Sequence, residues 1–224
     1  MSDTKKNILL VALKLFSKNG YDSVSVSQIA EQLGITKGAL YRHYKNKRDI
    51  FDSIFDYVCE LDIERSKKAG IPEKEFSEMP SEFKKTSLEN LKEYMISQFY
   101  YWTEDDIACD FRKMLTLEQY KSEEMENLYQ KVLVSGPIEY IEDIFREILF
   151  KNEIYDISPK QMAIEFYSPF YLMLSLSDST SNPDDKKEVA ELYIAYVNNF
   201  IEKYNLILKK NMMKNKEVKK WKII

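Results

Sequence analysis

Residues 24–51 read VSVSQIAEQLGITKGALYRHYKNKRDIF, and each joint in this stretch carries punctuation that local chemistry explains. Ser25 stands at a helix start with Gln28 three positions on, the pattern of a capping box that satisfies two otherwise orphaned amide donors, and Val24 with Ile29 supplies the hydrophobic staple. Ile29, Ala30 and Leu33 give that short helix one apolar face. Gly34 ends it where a left-handed residue is wanted. Thr36 caps a second helix, with Ile35 and Leu40 as its staple, so the two helices are held at a fixed angle before any distant packing. The unit is a helix-turn-helix.

On its second helix Leu40 and Tyr44 lie four apart and face inward, while Lys37, Tyr41 and Lys45 repeat that spacing on another face. Gly38 has no side chain on the outer side and would let the backbone approach a partner closely. A surface made of Thr36, Lys37, Gly38, Tyr41, Arg42 and His43 suits phosphate and base edges. The competing reading is a packed trihelical unit with no nucleic-acid partner, because helical corners occur in many proteins.

The N-terminal region, through FSKNGYDSVSVSQIAEQLGITKGALYRHYKNKRDIF, resembles the TetR-type bacterial transcriptional regulators in order, spacing and residue type. The resemblance implies that the second helix enters the major groove, that Thr36, Lys37, Gly38, Tyr41 and His43 touch DNA, and that Lys47 contacts phosphate at the next helix start. Ser25 and Arg42 complete the candidate DNA-binding set. Ala39 and Arg42 stand where family members vary, so the resemblance leaves the bases unspecified.

Working outward, Ile8, Leu9, Ala12, Leu13 and Phe16 share one face of a first helix expected from about Thr4 to Asn19. Lys14 interrupts that apolar run and no small-x-small site follows, which argues against a signal peptide. Asn46 caps a fourth helix running to about Lys68. The formal net charge of −4 hides a strong division. Residues 1–50 hold 9 Lys+Arg against 4 Asp+Glu, residues 51–205 hold 17 against 32, and residues 206–224 hold 7 against 1. A basic head on an acidic body confines attraction for DNA to the head.

Hydrophobic residues make up 44% of the 224 and charged residues 31%, with only 5 Gly and 6 Pro. That composition describes a globular chain with few turns, and an all-α fold. The expected organisation is a DNA-binding head at 1–48, a helical ligand-binding and dimerisation body at 49–205, and a basic extension at 206–224. Gly70, Ile71 and Pro72 break the helical pattern, and the segment to about Lys85, with Pro80, reads as an irregular connection. Helices follow at about Ser87–Trp102 and Asp105–Glu118, then a helical region from about Ser122 to Phe150 interrupted at Gly136 and Pro137. The extension from Leu206 reads either as a frayed solvated end or as a further contact to a polyanion.

Near the C-terminus, AIEFYSPFYLMLSLS is apolar almost all round, and Val189 to Tyr204 carry a stripe at three- and four-residue spacing. Such helices either close the protomer core or pair with a second copy. TetR-type proteins pair their last two helices into a four-helix bundle, and the resemblance therefore implies a homodimer through Phe170, Met173, Leu192, Tyr193, Tyr196, Val197, Phe200 and Ile201. It also implies a body that holds a small-molecule effector. Met95, Phe99, Trp102, Tyr120, Tyr129, Phe166 and Tyr171 are the candidates to line such a pocket for an apolar or aromatic ligand, although Met and aromatic residues at helical spacing more often form core.

No catalytic constellation competes. His43, the single histidine, lies in the proposed DNA helix, Cys59 and Cys109 lack metal-ligand spacing, and no glycine-rich phosphate loop is present. Side-by-side carboxylates such as Asp105 and Asp106 diverge by about 100° on a helix. The expectation is a cytoplasmic, homodimeric repressor, with no metal or cofactor, no enzymatic activity and no membrane segment. Its partners would be a palindromic DNA operator, its own second copy and a small effector. The alternative is a DNA-binding structural protein that recruits a protein partner and ignores small molecules.

Overall fold

Apolar residues recur at three and four positions through nearly every ordered segment, and helices result. The computed structural model describes residues 3–221, without the side chains of 212 and 214–221. Among these residues are eleven α-helices and no strand. In chain order they are α1 (Asp3–Asn19), α2 (Val26–Gln32), α3 (Lys37–Leu40), α4 (Lys47–Ala69), α5 (Pro80–Lys85) and α6 (Leu88–Glu104). Then follow α7 (Asp106–Glu118), α8 (Glu123–Leu133), α9 (Ser135–Lys151), α10 (Pro159–Asp178) and α11 (Pro183–Trp221).

The helices form two compact units that do not follow chain order. The first holds the described residues to Glu64 together with Glu104–Leu133; the second holds Arg65–Thr103 and the described residues from Val134 onward. The boundary expected after residue 48 is thus not a break in packing, since most of α4 and all of α7 and α8 belong with the head.

In the first unit α1 buries Ile8, Leu9, Ala12, Leu13 and Phe16 and packs on both α2 and α7. The expected capping box is closed: Ser25 Oγ accepts the Gln28 N–H at 3.2 Å, and Gln28 Oε1 accepts the Ser25 N–H at 2.7 Å. Gly34 ends α2 with φ +65°, a conformation that costs other residues roughly 1–2 kcal/mol. Thr36 Oγ1 caps α3 by accepting the Ala39 N–H at 3.1 Å. Asn46 Oδ1 caps α4 through the Asp49 N–H at 2.8 Å. Cys59 lies on α4 as a free thiol that burial, helped by Asp62 and Asp56, pushes up to about 11, so it is protonated at neutral pH.

In the second unit α10 packs on α9 and α11, and α5 packs on α9. Its core is aromatic. Phe99 stacks on Tyr193 with ring centroids 4.6 Å apart, and Phe200 lies 4.6 Å from Phe166 and 5.9 Å from Phe145. Three expectations are corrected here. Pro80 opens α5 rather than marking an irregular connection, because proline's fixed φ and missing N–H suit a first helical turn; Phe83 then buries beside Phe76 and Tyr140. The break between α8 and α9 falls at Val134, and Gly136 and Pro137 lie in the first turn of α9. Finally, α11 does not fray at Leu206 but continues to Trp221; residues 222–224 of the expected extension lie outside the described residues.

The Tyr193 hydroxyl is fully buried, and no described group reaches it with a hydrogen bond. Tyr193→Phe is therefore expected to preserve the fold and raise stability by about 1 kcal/mol, the cost of an unsatisfied buried polar group being removed. Urea unfolding of the two proteins measures this, and a loss of more than about 1 kcal/mol would reveal a partner for the hydroxyl.

Candidate nucleic-acid interface

Helices as short as α2 and α3 have little stability of their own, so their caps and buried faces position them. Leu40 and Tyr44 turn inward, as their spacing requires. The Tyr44 hydroxyl donates to the Lys5 carbonyl at 3.0 Å, while the Lys5 ammonium lies 5.1 Å from the ring centroid. Burial, with the charge of Asp49 in support, pushes this phenol up to about 12. It therefore remains a donor across the working pH range and ties the end of α3 to α1.

With those two residues inside, Thr36, Lys37, Gly38, Tyr41 and Arg42 lie exposed on α3 and its following turn, with His43 partly exposed beside them. Ser25 is exposed at the start of α2. The Tyr41 ring is 44% exposed, and the Lys37 ammonium lies 5.8 Å from its centroid, one turn away on the same face. Among the described residues no carboxylate pairs with Lys37, Arg42 or Lys45. Their charges are available to an external anion. Lys45, singled out by spacing but not counted among the contacts, joins the surface on these grounds.

Gly38 is not demanded by the fold. A Cβ added there would meet nothing nearer than Thr36 Oγ1 at 3.9 Å. Gly38→Ala is accordingly expected to leave the thermal midpoint equal or slightly higher, alanine being favoured over glycine in helices by about 1 kcal/mol. If a partner's backbone or base edge comes close at this point, the same methyl group lowers specific DNA affinity, by about tenfold for a 1.4 kcal/mol penalty. Paired melting and binding curves check the opposite signs.

Lys47, expected to meet phosphate, is engaged within the head. Its ammonium donates to the carbonyls of Tyr21 at 2.8 Å and Val24 at 2.9 Å and lies 4.1 Å from the Tyr21 ring centroid. It fastens the turn between α1 and α2, so a phosphate contact would compete with these internal partners. Arg48, its neighbour, is also spent internally: its fork engages the Glu124 carboxylate on α8, and its Nε donates to Asp52 at 2.6 Å.

Residues 8–54 match the family model described as bacterial regulatory proteins, tetR family. The N-terminal region is thus similar to TetR-type regulators. The sequence match is concentrated at the N-terminus: the HTH-type transcriptional regulator AcrR of Shigella flexneri is 41% identical over 70 residues, 30% of this chain and 33% of that protein. Matches of this kind thus span about a third of the curated relatives' length. Folds agree over more of the chain. The triclosan complex of SmeT, the repressor of the Stenotrophomonas maltophilia multidrug efflux pump SmeDEF, has a TM-score of 0.62 at 17% identity, covering 87% of this chain and 91% of its own. The Bacillus subtilis regulator FadR in complex with stearoyl-CoA has a TM-score of 0.60 at 20% identity, covering 88% and 97%.

For the other contacts that the resemblance implies, the structure rearranges the candidates. Phe170, Tyr193, Val197, Phe200 and Ile201 are buried within their own protomer. Met173 and Tyr196 are partly covered, and of the eight proposed dimer residues Leu192 alone is largely exposed, at 52%. The reason is that the α11 stripe is consumed by α6, α9 and α10, as the aromatic contacts of Tyr193 and Phe200 show. On α10 the large apolar side chains left exposed are Ile164, Tyr171, Leu172 and Leu176, which fall on one face of that helix.

The ligand candidates do not converge either. Met95, Phe99, Trp102 and Phe166 are buried in the second unit, and Tyr129 is buried in the first. Tyr171 faces outward on α10, and Tyr120, at the turn after α7, is 90% exposed and cannot line an enclosed pocket. Aromatic content alone does not distinguish a pocket wall from a core or a surface.

Proposed function

We propose that this chain is a sequence-specific DNA-binding transcriptional regulator, acting as a homodimeric repressor released from a palindromic operator by a small effector. The observation that carries the reading is the α3 surface: three unpaired cations, an exposed tyrosine and a glycine the fold does not need, all held by caps and by Tyr44. Phosphate contacts from Lys37, Arg42 and Lys45 would set affinity and register, while Tyr41 and the α3 backbone would approach base edges. In this reading residues 1–48 remain the DNA-reading part, although α7 and α8 support them.

Dimerisation would use the outward face of α10, Ile164, Tyr171, Leu172 and Leu176, together with Leu192 of α11. A two-fold pair reads two half-sites and roughly doubles the contacts of one short helix. The fold neighbours bound to triclosan and stearoyl-CoA hold ligands with large apolar bodies, which supports an apolar or aromatic effector here. Met95, Phe99, Trp102 and Phe166 are the side chains that would part to admit it. No helix among the described residues is long and apolar enough to cross a membrane, which is compatible with a cytoplasmic site of action.

Selection of bound duplexes from a random library tests the operator claim. The expected product is a two-fold symmetric sequence with half-site centres one helical turn apart, roughly 34 Å, or a multiple of it. A library that emerges unenriched would overturn it.

A further inference from the structure

We propose that Glu118 is a positioning residue: from α7 it holds the α1–α2 turn, and through that turn it sets the pose of the DNA-reading helices. The inference rests on the DNA-binding reading above.

The turn between Gly20 and Val24 is gripped by two opposite charges that come from outside the helix pair it joins. On one side Glu118 Oε1 accepts the Tyr21 N–H at 2.8 Å. On the other, the Lys47 ammonium takes the carbonyls of Tyr21 and Val24. The Tyr21 ring is wedged between Phe16 and Phe51, with centroids 5.3 Å and 5.2 Å away. Val26, where α2 begins, follows directly, so displacement of this turn moves the start of the helix-turn-helix.

Glu118 is 2% exposed. A buried carboxylate is costly unless it is hydrogen-bonded, and adhesion between α1 and α7 does not require one, because Ala108, Phe111 and Leu115 already bury an apolar face of α7. What the carboxylate adds is direction. A main-chain N–H meets it in one register only, whereas apolar contact tolerates sliding. The site is also shaped for it: a Cβ on residue 20 would come within 3.1 Å of Oε1, and Gly20 has φ +78°. Two turns earlier on α7, Asp110 Oδ1 accepts from the Ser17 hydroxyl at 2.8 Å. The end of α1 is thus registered against α7 at two points.

This placement also suits regulation. α7 enters the first unit by sequence from α6 and leaves through α8 toward α9, whose residues belong to the second unit. A shift of α7 along its axis would withdraw the acceptor from Tyr21 without exposing the apolar contact. The head would then retain its charge and its fold while losing the pose needed to read bases.

The test compares the full chain with Glu118→Gln, which keeps an acceptor oxygen, and Glu118→Met, which keeps length and removes the acceptor. Three quantities are read: exchange of the Tyr21 amide hydrogen, affinity for a selected duplex, and affinity for an unrelated duplex at the same salt. Glu118→Gln is expected to stay within about threefold of the parent in all three. Glu118→Met is expected to speed Tyr21 exchange at least about tenfold and weaken specific binding about tenfold, with non-specific affinity held within about twofold because no phosphate-facing cation changes. Should the methionine variant not fold, Glu118→Ala takes its place with the same expected pattern. Unchanged specific binding in the methionine or alanine variant would overturn the proposal while leaving the regulator reading intact. A parent chain that binds both duplexes equally would instead overturn the regulator reading itself.

Discussion

Phe200→Asp is expected to abolish the folded second unit rather than to split a dimer. Phe200 is 3% exposed and packs against Phe166, Phe145 and Tyr204. Truncating a buried phenylalanine costs roughly 3–5 kcal/mol, and an unpaired carboxylate in the same site adds several more. The sum approaches or exceeds the roughly 5–15 kcal/mol that keeps a typical protein folded. Circular dichroism should show a lost or strongly lowered thermal transition. A variant melting within a few degrees of the parent would mean that α11 is not packed against α9 and α10 as described.

Leu172→Glu should do the opposite. Leu172 is 57% exposed in the protomer, so a carboxylate there remains solvated, and a surface change of this kind shifts stability by no more than about 0.5 kcal/mol. In a dimer built on the outward face of α10, the same carboxylate is buried without a partner, at a cost of several kcal/mol for each copy. Sedimentation at micromolar concentration should show monomers with a normal melting curve. Operator affinity should fall by about a hundredfold or more as the second half-site contact is lost, equivalent to roughly 2.7 kcal/mol. A persistent dimer would place the interface on another surface.

The contrast between these two substitutions shows where sequence reading reached its limit. The periodicity of Leu192, Tyr193, Val197, Phe200 and Ile201 correctly marks a helix with a long apolar stripe, but a stripe facing the protomer's own α10 and one facing a second copy have the same period. Only the packing distinguishes them. The helix-turn-helix was legible almost atom by atom because its determinants are local: Ser25 with Gln28, Gly34, Thr36 and Asn46 each act within four residues of themselves. Lys47 and Arg48 illustrate the reverse. The carbonyls of Tyr21 and Val24 that hold Lys47 are remote in sequence, so nothing local separates it from a cation free for phosphate, and Arg48 combines a remote partner, Glu124, with a local one, Asp52.

Glu118 was invisible for the same reason. In sequence it is one more glutamate near a helix end, and its burial depends on Gly20 and Tyr21, nearly a hundred positions earlier. At Pro80 the helix-starting preference of proline governs rather than its helix-breaking one. Residue type alone does not separate Tyr120 from a pocket wall, and its exposure at the α7–α8 turn removes it from any enclosed pocket.

In the proposed function the exposed face of α3 reads DNA sequence. The most direct measurement is a salt-dependent titration of the full chain against duplexes selected from a random library, with unrelated duplex as competitor and Tyr41→Ala as control. Tight, competitor-resistant binding that falls by about tenfold or more in Tyr41→Ala, while both proteins lose affinity with salt along similar slopes, is the predicted result. Equal affinity for selected and unrelated duplexes, or a Tyr41→Ala variant that discriminates as well as its parent, would contradict it.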